Sequence, residues 1–250
     1  TVYFPSPKPW GDNLVTSRTV IASIMNDPEI EPIETFYLDL SSPSNGASIG
    51  KPSYEMVEIV SDDGSIFSDY FDSNPGWSTQ GQWAFGVPQG LGGYSGDPDP
   101  ETGHTGTNVY GYNLAGDYSN NMSSTFYLTT PSFSCVGYEN AKLKFWRWLG
   151  VEDRWYDKAT IQVSNNGNTW TNVWTNTTSL SDSSWQAMEY DISAVADGQA
   201  SVYVRWGMGP SDSWDTYCGW NIDDVEINGT RIMPGMAKIC FATSAYELLE

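Results

Sequence analysis

From residue 66 onward the chain is written in short alternating runs separated by turn formers. Ala159, Ile161 and Val163 alternate with Thr160, Gln162 and Ser164, which predicts a strand with one buried face. Val202, Val204, Trp206 and Met208 repeat the pattern, as do Met188, Tyr190 and Ile192. Thr125-Phe126-Tyr127-Leu128 reads as a strand leading into Pro131, and Phe67 to Trp77 as an opening strand and turn. Gly90 to Gly106 is a long loop of Gly, Pro and Asp. Turn residues lie between all these runs, as in an antiparallel sandwich.

Residues 1–65 are patterned differently. Val20 to Ile24 alternates as a strand, and Asn26 to Pro32 is an acidic loop punctuated by proline. Thr35 to Leu40 is a second strand with Phe36, Leu38 and Leu40 on one face. Ser41 to Gly50 is a turn region, and Tyr54 to Val60 is a third strand closed by Ser61-Asp62-Asp63-Gly64. The organisation read from the sequence is therefore an N-terminal segment 1–65, a main domain 66–228 and a tail 229–250. Ile232, Met233, Ile239, Cys240 and Phe241 of the tail offer a further strand or the start of another module.

Composition supports an all-β chain. Ser, Thr, Asn and Gly are abundant, which favours short strands and turns over helices. Twelve Trp, 15 Tyr and 9 Phe are enough aromatic mass for a large core. The net charge of −20, from 31 acidic and 11 basic residues, repels nucleic acid and anionic membrane surfaces. Two explanations fit this acidity: solvation of acidic loops, which takes the larger share, or carboxylates neutralised by bound divalent cations. No apolar run is long enough for membrane insertion, and no signal peptide stands at the start. Three cysteines, Cys135, Cys218 and Cys240, make no disulfide framework. They leave either one bridge involving Cys218 or three buried thiols.

The catalytic inventory is short. His104 is the one histidine, set in a Gly/Thr-rich turn beside Asp97, Asp99 and Glu101. Zincin, nucleophile-elbow and phosphate-loop motifs are missing from the sequence, so the expectation is a protein without catalytic residues. Asp97-Pro98-Asp99-Pro100-Glu101 reads as a solvated acidic loop. In Ile222-Asp223-Asp224-Val225 two carboxylates interrupt a strand, and the opposite parity of Ile222 and Val225 predicts a bulge. A carboxylate buried there must be paired or bind a metal; Arg147, Arg154 and Arg205 are the candidate partners for Asp157 and Asp223. Trp155, Trp214 and Tyr217 stand off the strand pattern among polar neighbours, as platforms for sugar stacking do. Trp146, Trp148, Trp170, Trp206 and Trp220 are assigned to packing.

Seven phrases carry a resemblance by their order and spacing: Gln82 to Gly86, His104 to Val109, Asn113 to Tyr118, Leu143 to Trp148, Tyr156-Asp157, Ser164 to Trp170 and Gly219 to Val225. Together they resemble the extracellular MAM-like jelly-roll domain appended to secreted bacterial peptidases of the immune-inhibitor and bacillopeptidase kinds. Residues 18–65 resemble the C-terminal half of a Calx-β domain, an immunoglobulin-like sandwich. The matching phrases there are Asn26-Asp27, Glu31 to Phe36, Asn45 to Gly50 and Asp62 to Gly64. The resemblance implies an all-β, antiparallel β-sandwich of jelly-roll type after a partial Calx-β-like sandwich cut from a longer modular protein.

It further implies structural calcium near Asp72, Glu152, Asp157, Asp223 and Asp224, and treats His104 as a structural signature. The function implied is a secreted or cell-surface, non-catalytic module for adhesion, matrix assembly or targeting. Its partner would be a glycan or a cell-surface or matrix protein. The alternatives are a carbohydrate-binding module of a polysaccharide-degrading enzyme, an enzyme acting on glycans through carboxylates, and a filament or surface-layer subunit. The last would self-associate through N-terminal strand edges.

Overall fold

The structure, a computed structural model, describes residues 34–39, 41–42, 54–59 and 63–232. The chain divides into two compact units, Thr1–Asp62 with Met233–Glu250, and Asp63–Ile232.

In the first unit β1 (Glu34–Asp39) pairs antiparallel with β2 (Tyr54–Ile59), Phe36 facing Val57 across the ladder. Phe36 and Leu38 are half-buried while Thr35 and Tyr37 are exposed, which is the alternation read from the sequence. Tyr37 meets Tyr54 edge-on at 5.9 Å, a diagonal cross-strand pair. The strand expected at Val20 to Ile24, Leu40 and the tail beyond Ile232 lie outside the described residues.

Asp63–Ile232 is an antiparallel sandwich. One sheet has seven strands: β3 (Asp63–Asp69), β5 (Trp83–Gly86), β6 (Val109–Tyr112), β8 (Tyr138–Val151), β11 (Leu180–Ser181), β12 (Gln186–Asp191) and β14 (Gly219–Arg231). The other has five, in the order β10 (Thr171–Thr175), β9 (Ala159–Ser164), β13 (Tyr203–Met208), β7 (Phe126–Thr129) and β4 (Ser78–Thr79). The chain passes repeatedly from one sheet to the other, and one short helix, α1 (Ser193–Ala196), lies between β12 and β13.

Alternation fixes which residues face inward. Along β9, Ala159, Ile161 and Val163 are buried, and along β13 Val204, Trp206 and Met208 are. They meet Leu143, Phe145, Leu149, Trp220, Ile222 and Ile227 of β8 and β14 in one continuous core. Trp206 stacks on Trp77 at 5.9 Å and meets Phe145 edge-on at 5.3 Å, joining the two sheets.

Some features differ from the sequence reading. β3 starts at Asp63 and β14 runs to Arg231, with Asp63 opposite Thr230. Asp63 and Gly64 of the expected turn and the start of the tail are thus drawn into the ladder, because pairing against a long central strand overrides weak strand propensity. Cys135 and Cys218 are both buried free thiols, which agrees with the buried-thiol alternative for these two, and Cys240 lies outside the described residues. Trp206 and Trp220 are in the core, but Trp146, Trp148 and Trp170 are half-buried and project from the outer faces of the strands and turns that carry them. Their alternation with the buried Phe145, Arg147 and Leu149 puts Trp146 and Trp148 outside.

Candidate functional site at the loop end

Asp157 precedes β9 and has no exposed surface. The Tyr118 hydroxyl donates to its Oδ2, and the backbone amide of Asp212 donates to its Oδ1 at 2.9 Å. Asn176, also buried, donates to the carbonyls of Glu152 at 2.8 Å and Asp157 at 3.1 Å, and its own Oδ1 accepts the Ala159 amide at 2.9 Å. These bonds set one carboxylate oxygen each from Glu152, Asp157 and Asp212 within 4.8 Å of one another.

The cluster is electrostatically uncompensated. Burial raises the Glu152 pKa, and the charges of Asp157, Asp212, Asp215 and Asp153 raise it further. Burial also raises Asp157, opposed by its bonds from Tyr118 and Asp212. None of the ion pairs among the described residues includes these carboxylates. Glu152 Oε2 is buried without a hydrogen-bond partner. Three hard carboxylate oxygens this close together, one of them orphaned and none paired with a cation among the described residues, could hold a divalent cation such as calcium.

Both flanking turns carry a tryptophan. Asp153 Oδ1 accepts the Trp155 amide at 3.1 Å, and Asp212 Oδ1 accepts the Trp214 amide at 2.8 Å. These side-chain-to-backbone turns throw both indoles outward, each 78% exposed. The Arg154 guanidinium lies 4.8 Å from the Trp155 ring centre, and Asn120 Nδ2 donates to the carbonyls of Ser213 and Trp214.

Tyr94, 79% exposed, belongs to the same end and was missed. Asp117 accepts the amides of Gly93 and Tyr94 at 2.7 and 2.9 Å, while Ser95 donates to Asp215 at 2.9 Å. Its signal was present, an aromatic isolated in Gly-Gly-Tyr-Ser-Gly. Tyr217 behaves otherwise: its half-buried ring packs on the core and its carbonyl accepts the Tyr118 amide at 3.0 Å.

Asp223 and Asp224 sit in another cluster. The register of β14 against β8 slips between Asp223 and Glu226, the expected bulge, and Asp224 takes φ +46°. Asp223 accepts the amides of Asp224 and Thr105 at 2.8 and 3.1 Å, and burial followed by the Asp224 charge pushes its pKa up to about 7. Asp224 takes the Thr105 hydroxyl at 2.5 Å and faces His104 Nδ1 at 2.6 Å. The His104 ring lies flat on Trp146 with centroids 3.6 Å apart. Asp72 is exposed and is not among the three clustered carboxylates. The five acidic residues expected to gather at calcium are therefore dispersed, with Glu152 and Asp157 joined by the unpredicted Asp212.

The loop before β6 covers the same outer face. Trp148 Nε1 donates to the Pro98 carbonyl at 2.9 Å, and Asn221 donates to Asp99 Oδ1 at 2.7 Å. Asp99 is 3% exposed and burial pushes it up to about 7, so this part of the Asp97–Glu101 loop is buried rather than solvated. Asp99 Oδ2 and Asn221 Oδ1 remain without partners. The arginines pair elsewhere than expected: Arg147 with Asp182, Arg154 over Trp155, and Arg205 between Tyr127 and Trp170.

No protein-family model matches the chain. It is 28% identical over 207 residues to Bacillopeptidase F of Bacillus subtilis strain 168, a match covering 80% of this chain and 13% of that protein. The chain thus spans about an eighth of the length of that curated relative. Among solved structures it is similar to the K1 cleaved adhesin domain of Lys-gingipain from Porphyromonas gingivalis W83, with 17% identity and a TM-score of 0.43 over 66% of this chain and 98% of that one. It is also similar to the CBM22-1 xylan-binding domain from Paenibacillus barcinonensis, with 13% identity and a TM-score of 0.41 over 67% and 96% of the two chains. No helix of the described residues is long and apolar enough to cross a membrane.

Proposed function

We propose that Asp63–Ile232 is a non-catalytic, calcium-stabilised binding module of an extracellular protein, and that its loop end engages a glycan. One observation carries the reading: Trp155 and Trp214, each 78% exposed, stand on turns held by acidic residues at the rim of the same cluster. An exposed indole offers a flat apolar face for a sugar ring, and the neighbouring Asp215, Asn120 and Arg154 supply polar groups for hydroxyls. Glu152, Asp157 and Asp212 would hold calcium, which supplies the positive charge their cluster lacks and stiffens the turns that aim both tryptophans.

The order of the MAM-like phrases and the match to one stretch of Bacillopeptidase F support a module within a longer protein. Pull-down of the full chain on insoluble glycans tests the ligand, and Trp155→Ala and Trp214→Ala are expected to abolish retention while the fold is kept. Retention unchanged in both variants, or on no glycan at all, overturns the loop-end site.

A further inference from the structure

A second surface lies on the outer face of the five-stranded sheet. Strand register places Asn172 of β10, Gln162 of β9, Arg205 of β13, Thr129 of β7 and Ser78 of β4 in one row. Their strand neighbours Ile161, Val163, Val204, Trp206 and Leu128 are buried, so the row faces outward.

Arg205 stands at its centre. Its guanidinium carbon is 3.6 Å from the Tyr127 ring centre and 3.9 Å from that of Trp170, and its Nε donates to Gln162 Oε1 at 2.8 Å. The group is held between two rings and one amide. Among the described residues it has no acidic partner: Lys142 and Lys144 pair with Glu189, Arg147 with Asp182, and His104 with Asp224. Burial lowers the Arg205 pKa, and no carboxylate acts against that shift. With 31 acidic residues against 11 basic, carboxylates are plentiful, yet the row around this half-buried cation contains only amides and hydroxyls.

We propose that this face binds a uronic-acid-containing oligosaccharide, with the sugar carboxylate on the Arg205 guanidinium and ring hydroxyls on Gln162, Asn172 and Thr129. A planar guanidinium presents two parallel N–H donors that match a carboxylate, and stacking between aromatic rings fixes its plane before the ligand arrives. Side chains on neighbouring strands stand about 5 Å apart, a spacing that suits substituents around one sugar ring. An acidic peptide fits less well. Its backbone amides and carbonyls need partners of their own, and a mid-sheet face offers only side chains. This site shares no residue with the loop end and does not rest on that reading.

The test is isothermal titration of the full chain with oligogalacturonate and with oligomannuronate, each against its carboxyl-reduced neutral form. At least one uronate is expected to bind and its reduced form not to. Arg205→Lys keeps the charge but loses the fork, and should weaken binding by about 10-fold or more. Gln162→Glu sets an internal carboxylate against Arg205, and should abolish binding without lowering the melting temperature. Uronate binding that is lost in Trp155→Ala and kept in Arg205→Lys would place the ligand at the loop end and overturn the proposal for this face. Binding of neither uronate overturns the proposal, as does equal binding of the reduced forms or of a poly-glutamate peptide. Uronate binding that survives Gln162→Glu overturns it too.

Discussion

The backbone amide of Asp212 donates to Asp157 Oδ1 at 2.9 Å, and that bond fastens the loop carrying Trp214 to the loop carrying Trp155. Residues 152–158 lead from β8 in one sheet to β9 in the other, and residues 209–218 return the chain from β13 to β14. Tyr118, from a third loop, closes on the other oxygen of the same carboxylate. Asp157 is therefore a buried knot between three connections, and its negative charge is added to those of Glu152 and Asp212. What relieves that charge decides how firmly the loop end is held.

Calcium is expected to raise the melting temperature. A ligand that binds only the folded state at 100 times its Kd adds about 2.7 kcal/mol, or about 5–10 °C for a domain near this size. Asp212→Asn should remove the shift and little else, because the bond to Asp157 uses the backbone and an asparagine oxygen still accepts the Trp214 amide. Thermal melts in calcium and in chelator check this; identical curves for the unaltered chain would mean the cluster holds no calcium.

Stability should fall as pH rises from about 4 to 8. Burial raises Asp99 and Asp223 from 3.8 to about 7 in the folded chain. A carboxyl with a folded pKa above its unfolded value holds its proton more tightly when folded. Its contribution is therefore present at low pH and lost as pH climbs through the folded pKa. Glu152 and Asp157 are shifted in the same direction. Asp99→Asn removes the titrating carboxyl while keeping an oxygen for the Asn221 amide, and should flatten the slope. Melting curves in chelator at pH 5 and pH 8 measure it, and an unaltered slope in the variant counts against the assignment to Asp99.

Tryptophans of identical chemistry should separate by position. Trp206 is fully buried between Trp77 and Phe145, so Trp206→Ala is expected to cost about 3–5 kcal/mol. Trp155→Ala removes an exposed ring and should cost under about 0.5 kcal/mol. Urea titration of both variants decides; a large loss for Trp155 would mean its ring packs on something.

The strand pattern was legible because its period of two is local: β9, β12 and β13 follow from alternation alone. The bulge at Asp223 and Asp224 was legible for the same reason, as a break in parity. What the sequence did not disclose depends on which loops meet. Asp212 looks like any loop aspartate until residues 211–217 fold over Asp157. Asp99 reads as solvated because nothing in its neighbours announces that it will be carried onto Asn221, 122 residues away. Trp146 and Trp148 read as core because an aromatic strand phrase does not reveal that the chain's own loop covers its outer face. Tyr94 carried the same signal as Trp155, an aromatic amid Gly and polar residues.

Arg147 supplies the sharpest energetic test. It lies on the inward side of β8 between Phe145 and Leu149, a position alternation reserves for apolar residues. Asp182 accepts from its Nε at 2.8 Å and its Nη2 at 3.0 Å, and also from the Leu149 amide at 2.9 Å. Both side chains are about nine-tenths buried, each 10% exposed. Removing one partner strands a buried charge, so Asp182→Ala should cost about 3–5 kcal/mol. Removing both, as Arg147→Met with Asp182→Leu, removes the desolvation cost along with the attraction and should be nearly neutral, apart from about 1 kcal/mol for the freed Leu149 amide. Urea unfolding of the single and double variants closes the cycle. A double variant as unstable as Asp182→Ala would show that the pair holds strands β8 and β11 in register through more than its own charges.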